Sequence, residues 1–286
     1  MPAPRSVLIT GCSSGIGHAT AAHLAAHGWS VYATARSRGQ LADLESAGCH
    51  TLVCDVTDEA SMQAAVDEVQ AAEDGGVGAL VINNAGYSQS GALETVSIDA
   101  ARRQFETNVF GMLRMSQLVL PGMRERGAGR IVNMSSMGGR FTFPGGGIYH
   151  ASKYAVEAIS DALRFEVKGF GVDVVVIQPG SIRTGFSAAA VASLDAVPAD
   201  SPYAGFNAAV AESTKSVYEK GPMARLGGGP GSVARAVEKA LTARSPRIRY
   251  RVTPSARLLM TQRRVMSDRL WDRFLGVQFP RPGTSS

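Results

Sequence analysis

Tyr149 and Lys153 stand four residues apart, a spacing that puts both on one face of a helix. A phenol with a pKa of about 10 is a poor acid–base group at neutral pH. A neighbouring ammonium stabilises the phenolate and lowers that pKa, so the pair can pass a proton to or from an alcohol oxygen while hydride moves. Lys153 is the first lysine in the chain. Such a pair is common on its own, and its surroundings single it out. Ser136 stands 13 residues before Tyr149, just past an apolar run, and can donate to a substrate oxygen. Asn108 falls inside a long helical pattern, an unfavourable place for asparagine unless its side chain has work.

A second group of residues suits a dinucleotide. Thr10-Gly11-Cys12-Ser13-Ser14-Gly15-Ile16-Gly17 joins the first strand pattern to the first helix pattern. Glycines there permit a tight turn and let backbone approach a pyrophosphate at a helix N-terminus. The spacing is GxxxGxG, not GxGxxG. An acid after the second strand would bind the ribose 2′-hydroxyl of NAD, whereas an arginine accommodates the 2′-phosphate of NADP. Residues 30–40 hold no acid but carry Arg36 and Arg38, which predicts NADP. Asp55, after the third strand, is placed either to meet the adenine or to serve as a turn residue beside Thr57. Asn83-Asn84-Ala85-Gly86 ends the fourth strand with small residues that let a cofactor lie close, and Pro179-Gly180 ends the sixth, turning the chain beneath the nicotinamide.

These residues need a frame that brings strand ends together. Strands are predicted at Val7–Thr10, Ser30–Ala35, Thr51–Cys54, Ala79–Asn83, Arg130–Met134 and Val172–Gln178, with a last one at Arg247–Val252. Helices are predicted after the glycine-rich turn through His27, near Leu41–Ala47, at Asp58–Glu73, Asp99–Leu120, Tyr149–Lys168 and Ser232–Ala243. Short apolar strands alternating with longer helices predict an α/β, doubly wound parallel sheet, with ligands outside the carboxyl ends of the strands. Residues 1–286 read as one domain: a core of about 5–186 plus 230–252, a substrate lid at 187–229 and a basic extension at 253–286.

The extension dominates the charge. From Arg244 onward ten arginines face two aspartates, a net of +8, while the rest of the chain has 19 basic and 22 acidic residues, a net of −3. Its aromatic residues Tyr250, Trp271, Phe274 and Phe279 are spaced for packing, with no RNA-binding signature. Leu259, Met266, Leu270, Phe274 and Val277 predict an amphipathic helix packed on the protein's own core; an anionic membrane surface is the rival partner. No stretch reaches the roughly 20 apolar residues of a membrane span, and no signal peptide is evident. Three cysteines suit a reducing cytoplasm.

The set TGCSSGIG (10–17), Asp55, NNAG (83–86), Asn108, Ser136, Tyr149-x-x-x-Lys153 and PG (179–180) resembles the short-chain dehydrogenase/reductase family in order and spacing from residue 5 to about 186. The resemblance implies a Rossmann-type fold, usually dimeric or tetrameric, binding NAD(P). It implies Tyr149 as general acid–base, and Lys153 holding the nicotinamide ribose and lowering the Tyr149 pKa. Ser136 would polarise the carbonyl, and Asn108 would help hold a proton-relay water. Gly11, Ser13, Ser14, Gly15, Ile16, Gly17, Arg36, Asp55, Val56, Asn83, Ala85, Gly86, Pro179, Gly180, Ile182 and Thr184 would line the cofactor with Tyr149 and Lys153. VYATAR (31–36), SMGG (136–139) and the arginine-rich tail look like the 17β-hydroxysteroid and retinol dehydrogenase branch.

The expected function is an NADP-dependent oxidoreductase acting on a secondary alcohol or ketone. A non-catalytic NAD(P)-binding sensor and a membrane-surface lipid reductase are the alternatives. The charge-poor segment after Thr184 and the tail would make a pocket for a steroid, retinoid or long-chain carbonyl. Arg140-Phe141-Thr142-Phe143 lines that cleft or packs in the core. His150 is read as pointing away from Tyr149's site. His23 and His27 have the spacing of a two-histidine metal face but, with no third ligand evident nearby, read as exposed helix residues, so no metal is expected.

Overall fold

The computed structural model describes residues 6–73, 80–194, 197–198 and 200–283. Seven parallel strands form one sheet: β1 (Ser6–Ile9), β2 (Ser30–Ala35), β3 (His50–Val53), β4 (Leu80–Asn83), β5 (Gly129–Met134), β6 (Val172–Gln178) and β7 (Arg249–Arg251). Their order is β3-β2-β1-β4-β5-β6-β7, so the direction of winding reverses between β1 and β4. That reversal opens a crevice at the carboxyl ends of the central strands. Ala79, expected to start the fourth strand, lies outside the described residues.

Helices cover both faces: α1 (Gly15–Ala26), α2 (Ala42–Ser46), α3 (Glu59–Ala72), α4 (Ile98–Phe105), α5 (Gly111–Arg126), α6 (Gly147–Val167), α7 (Phe186–Ala192), α8 (Ala204–Lys215), α9 (Pro222–Arg225), α10 (Pro230–Thr242), α11 (Pro254–Val265) and α12 (Asp268–Gln278). Alternation along the strands sorts the core into two layers. Val7 and Ile9 pack with Leu24 of α1 and Val237 of α10, while Leu8 packs with Val66 of α3, Met115 of α5 and Leu163 of α6. The Asp58 carboxylate accepts the Ala60 N–H and caps α3.

Three expectations need correction. The single helix Asp99–Leu120 is α4, a π-turn at Glu106–Phe110, and α5, which runs through Pro121 to Arg126. Burial of Val119 and Met123 holds α5 together across the proline, and Gly127, at φ +64°, ends it. The tail is two helices, not one, broken where the extended Met266 and the capping Ser267 intervene. Its buried anchors are Leu259, Met260, Trp271 and Phe279, whereas Val277 is 88% exposed and Leu270 48% exposed. The break rotates α12 relative to one continuous periodicity, so residues counted along a single helix fall on the wrong face. Finally, His23 is only partly exposed, because α10 packs over α1 and brings Glu238 to its ring. Among the described residues, no helix is long and apolar enough to cross a membrane, and the three cysteines are free and buried.

Candidate active site

The glycine-rich turn is built by close backbone approach. The Thr10 hydroxyl accepts the N–H groups of Asn84 (3.0 Å) and Ala85 (3.1 Å), and the Asn84 amide donates to the carbonyls of Thr10 and Gly11, each at 3.0 Å. These bonds lock the loop after β1 to the end of β4. A methyl at Gly11 would lie 2.7 Å from the Ala85 Cα, and one at Gly17 would collide with the Gly11 carbonyl. Gly11 and Gly15 have φ of +71° and +62°, a conformation that costs glycine least. Ser14 caps α1 without a side-chain bond to its N–H groups, no acid sits in the first turn, and Ser13 and Ser14 are exposed. The N-terminus of α1 therefore presents unpaired donors in an open cradle with no side chain filling it, which fits a pyrophosphate.

Around this cradle the other residues divide. Arg36 follows β2 immediately, is exposed, and has no ion-pair partner among the described residues. Arg38 instead donates from Nε to the Thr51 hydroxyl at 3.3 Å. Thr184 packs 3.7 Å from where a Gly15 side chain would start, so the loop after β6 faces the glycine loop across the crevice. Asp55 is a turn residue: its Oδ1 accepts the Thr57 N–H (2.9 Å) and hydroxyl (2.8 Å). The Asn83 side chain is turned into the core, donating to Ser116 (3.1 Å) and Asn133 (2.9 Å), so only its backbone is left for a cofactor contact. The neighbouring Asn84 does the local work. Val56 and Ile182 are buried, and Ile16 packs against the core. Gly180 is required for a different reason from the one expected: a side chain there would collide with Thr253 and Ser255 at the start of α11. Pro179 accepts the Met137 N–H at 2.8 Å, tying the end of β6 to the loop bearing Ser136.

Ser136, Tyr149 and Lys153 converge at the ends of β5 and α6. The Ser136 hydroxyl accepts the Gly138 N–H at 3.1 Å and also bonds the Tyr149 hydroxyl. Lys153 Nζ donates to the Met134 carbonyl at 2.9 Å and lies 5.9 Å from the Tyr149 ring centroid. Burial pushes the Tyr149 phenol up to about 12, with the Ser136 bond pulling the other way. The net shift is therefore upward: burial outweighs the lowering expected from a neighbouring ammonium. Lys153 itself is pushed down to about 8 by burial, opposed by the charge of Glu157 one turn along α6.

Asn108 sits in the π-turn, where such bulges often mark functional sites. Its side chain is a strut: Nδ2 donates to the Tyr87 carbonyl and the Ser152 hydroxyl, both at 3.0 Å, and Oδ1 accepts the Tyr87 N–H at 3.1 Å. A side chain at Gly86 would lie 3.0 Å from Asn108 Oδ1 and 3.6 Å from Lys153 Nζ, so all three meet in one place.

His150 is the residue whose reading changes most. It is 8% exposed, its Nδ1 donates to the Gly138 carbonyl at 2.9 Å, and its Nε2 accepts the Phe143 N–H at 3.2 Å. Burial holds its pKa below the ordinary value, which keeps the neutral, bifunctional ring. His150 thus fastens the loop carrying Ser136 to the helix carrying Tyr149. Adjacency to Tyr149 was the only signal of this in the sequence.

Beside Tyr149 lies a cavity of about 760 Å³, counting its open mouth. Phe141, Phe143, Phe186, Val210, Tyr218 and Phe279 line it. Tyr218, in a second π-turn at Ser216–Lys220, has no hydrogen-bond partner for its hydroxyl among the described residues. The sequence reading missed Tyr218, since no local signal distinguished it from the rest of that segment.

The chain is similar in sequence and fold to known oxidoreductases. A family model described as short chain dehydrogenase matches residues 5–195. The chain is 37% identical over 271 residues to the uncharacterized oxidoreductase YbbO of Escherichia coli, covering 95% of this chain and 94% of that one. It is 32% identical over 278 residues to an NADPH-dependent 3-dehydrocapnine reductase of Ornithobacterium rhinotracheale, covering 94% and 95%. A short chain dehydrogenase/reductase from Burkholderia phymatum, solved in complex with NAD, superposes with a TM-score of 0.77 at 26% identity, covering 99% and 98%.

Proposed function

Since the chain belongs to the short chain dehydrogenase family, whose members bind a nicotinamide dinucleotide, we propose that it is an NADPH-dependent reductase of bulky apolar ketones. The convergence of the Ser136 and Tyr149 hydroxyls beside an aromatic-lined cavity, with Lys153 behind them, carries this reading.

The Gly11–Gly17 loop and the N-terminus of α1 would hold the pyrophosphate, Arg36 the 2′-phosphate, and Lys153 the nicotinamide ribose. A bound nicotinamide supplies the hydride. The protein's own part is positioning and proton delivery. The Ser136 hydroxyl donates to the substrate carbonyl and polarises it. Burial keeps Tyr149 protonated at neutral pH, so its hydroxyl is ready to give a proton to the same oxygen as negative charge develops there. The Lys153 ammonium then stabilises the phenolate. Phe186 and Ala190 of α7 and Val210 of α8 line the cavity and would exclude water from the reacting centre. A Ser–Tyr–Lys set meeting at a cavity supports this reading over the sensor alternative.

The test is NADPH oxidation with a homologous series of ketones of increasing apolar size. At about 25 cal/mol per Å² buried, kcat/KM should rise steeply with each added stretch of chain until the cavity fills. A flat profile, or one peaking at small polar ketones, sinks the apolar-substrate reading and leaves the oxidoreductase intact.

Arg36 gives a separate expectation. A charge-assisted bond to a phosphate contributes roughly 1.5–3 kcal/mol, so NADPH should be favoured over NADH by ~10–100-fold in kcat/KM. Arg36→Ala should lose most of that preference with little change in NADH kinetics. Equal use of both cofactors by the wild type would refute the role given to Arg36.

A further inference from the structure

His23 and His27 lacked only a third ligand, and α10 provides one. We infer that His23, His27 and Glu238 form a surface site for a borderline divalent transition ion, Zn²⁺ above all, that clips α1 to α10.

The three ligand atoms all lie within 4.8 Å of one another. The rings of His23 and His27 lie close, with centroids 4.2 Å apart and planes tilted by 41°. His23 Nε2 and Glu238 Oε2 are 2.8 Å apart. Tetrahedral zinc with bonds of about 2.0–2.1 Å needs its ligand atoms about 3.3 Å apart. Small side-chain rotations therefore suffice, opening the His23–Glu238 pair and drawing in His27. His27 is exposed and stands just past the end of α1, so its ring is the freest of the three.

The surroundings favour this use of the cluster. The His27 Nδ1–H donates to the His23 carbonyl at 2.7 Å. That bond fixes the tautomer and leaves Nε2 with its lone pair, the outer-shell arrangement usual for a metal-ligating imidazole. On binding, His23 takes the tautomer protonated at Nδ1, which frees its Nε2 lone pair for the ion, and Glu238 binds as the carboxylate. Two imidazoles and one carboxylate suit Zn²⁺, Ni²⁺ or Cu²⁺ and are poor for Mg²⁺ or Ca²⁺, which prefer all-oxygen shells. The fourth tetrahedral position would be filled by water.

The location gives the site a consequence. Helix α1 starts at the glycine-rich turn, and α10 follows Gly228, which bridges to Ile182 in the loop opposite that turn. An ion here cross-links the two helices that flank the cofactor crevice from outside. It takes no part in the reaction, so its signature is binding and stability, not turnover.

The experiment uses the full chain with any affinity tag removed and all metal stripped, titrated with ZnCl₂ by calorimetry and followed by thermal melting. One equivalent should bind, and the melting temperature should rise with zinc but not with magnesium. Co²⁺ in place of zinc should give the visible absorption of a site containing nitrogen ligands. His27→Ala and Glu238→Gln should each weaken zinc binding by at least ~10-fold and abolish the thermal shift. His27→Ala removes only an exposed ring, so it tests the site without threatening the fold. The absence of a saturable zinc isotherm, or unchanged zinc affinity in both variants, overturns the inference.

Discussion

Replacing Tyr149 by phenylalanine should reduce ketone turnover by ~10²–10⁴-fold, the usual size of a lost general acid, with NADPH still binding. The ring is kept, so the packing against Phe186, at a centroid distance of 5.5 Å, survives. Only the transferable proton goes. The same chemistry sets a pH dependence. Tyr149 at about 12 stays protonated throughout the working range, whereas Lys153 at about 8 loses its proton as pH rises. The reductive rate should therefore hold below about pH 8 and fall above it, because the phenolate left by Tyr149 then lacks its stabilising cation. Stopped-flow measurement of the hydride step separates this from product release. If Tyr149→Phe keeps more than about a tenth of wild-type turnover, far from the loss expected of a general acid, Tyr149 has no place in the mechanism.

Glu157→Ala should be the most destabilising of the simple substitutions near the site. The Glu157 side chain is 4% exposed, and its carboxylate accepts from Gln178 Nε2 (2.8 Å), Arg140 Nη2 (2.8 Å) and Arg249 Nε (2.9 Å). Arg249 also reaches Asp161 at 2.6 Å, so α6, β6 and β7 are joined through this one acid. Removing one partner of a buried ion pair typically costs about 3–5 kcal/mol, and for a chain of this size that is a melting-temperature drop of roughly 6–15 °C. Glu157→Gln keeps part of the hydrogen bonding and should lose less. It also removes the charge that opposes the depression of Lys153, so the falling limb of the pH profile should move to lower pH. A purely structural role would leave that limb in place. Calorimetric melts within about 2 °C of wild type for Glu157→Ala, well short of the drop expected from a broken buried pair, would show that the network carries little stability.

Glu157 also shows where reading the sequence stops. Its position one turn after Lys153 is plain, but its partners come from Arg140, Gln178 and Arg249, up to 92 residues away. No local pattern predicts that a buried acid will find two guanidinium groups. His150 is a similar case, because its ring is satisfied by two backbone groups of a loop that precedes it.

What the sequence determined by itself is the part governed by short-range rules. The run Val172–Gln178 appears as β6 with those same ends, because five of its seven residues are valine or isoleucine, β-branched side chains that suit a strand buried on both faces. The glycine spacing at 11, 15 and 17 fixed the turn, since no other residue tolerates those angles and contacts. The four-residue step from Tyr149 to Lys153 fixed a shared helix face. Tertiary structure decided what those rules leave open. It turned Asn83 inward and gave the loop-clamping role to Asn84, because β4 pairs with β5 and buries that side. It carried α5 through Pro121 on the strength of burial and placed Asn108 in a π-turn. It split the tail into two helices with a break that no single periodicity describes. It set the Tyr149 pKa by enclosing the ring, an effect of surroundings that come from distant segments. And it brought Glu238 beside His23 and His27, 215 residues along the chain, because α1 and α10 share one face of the sheet.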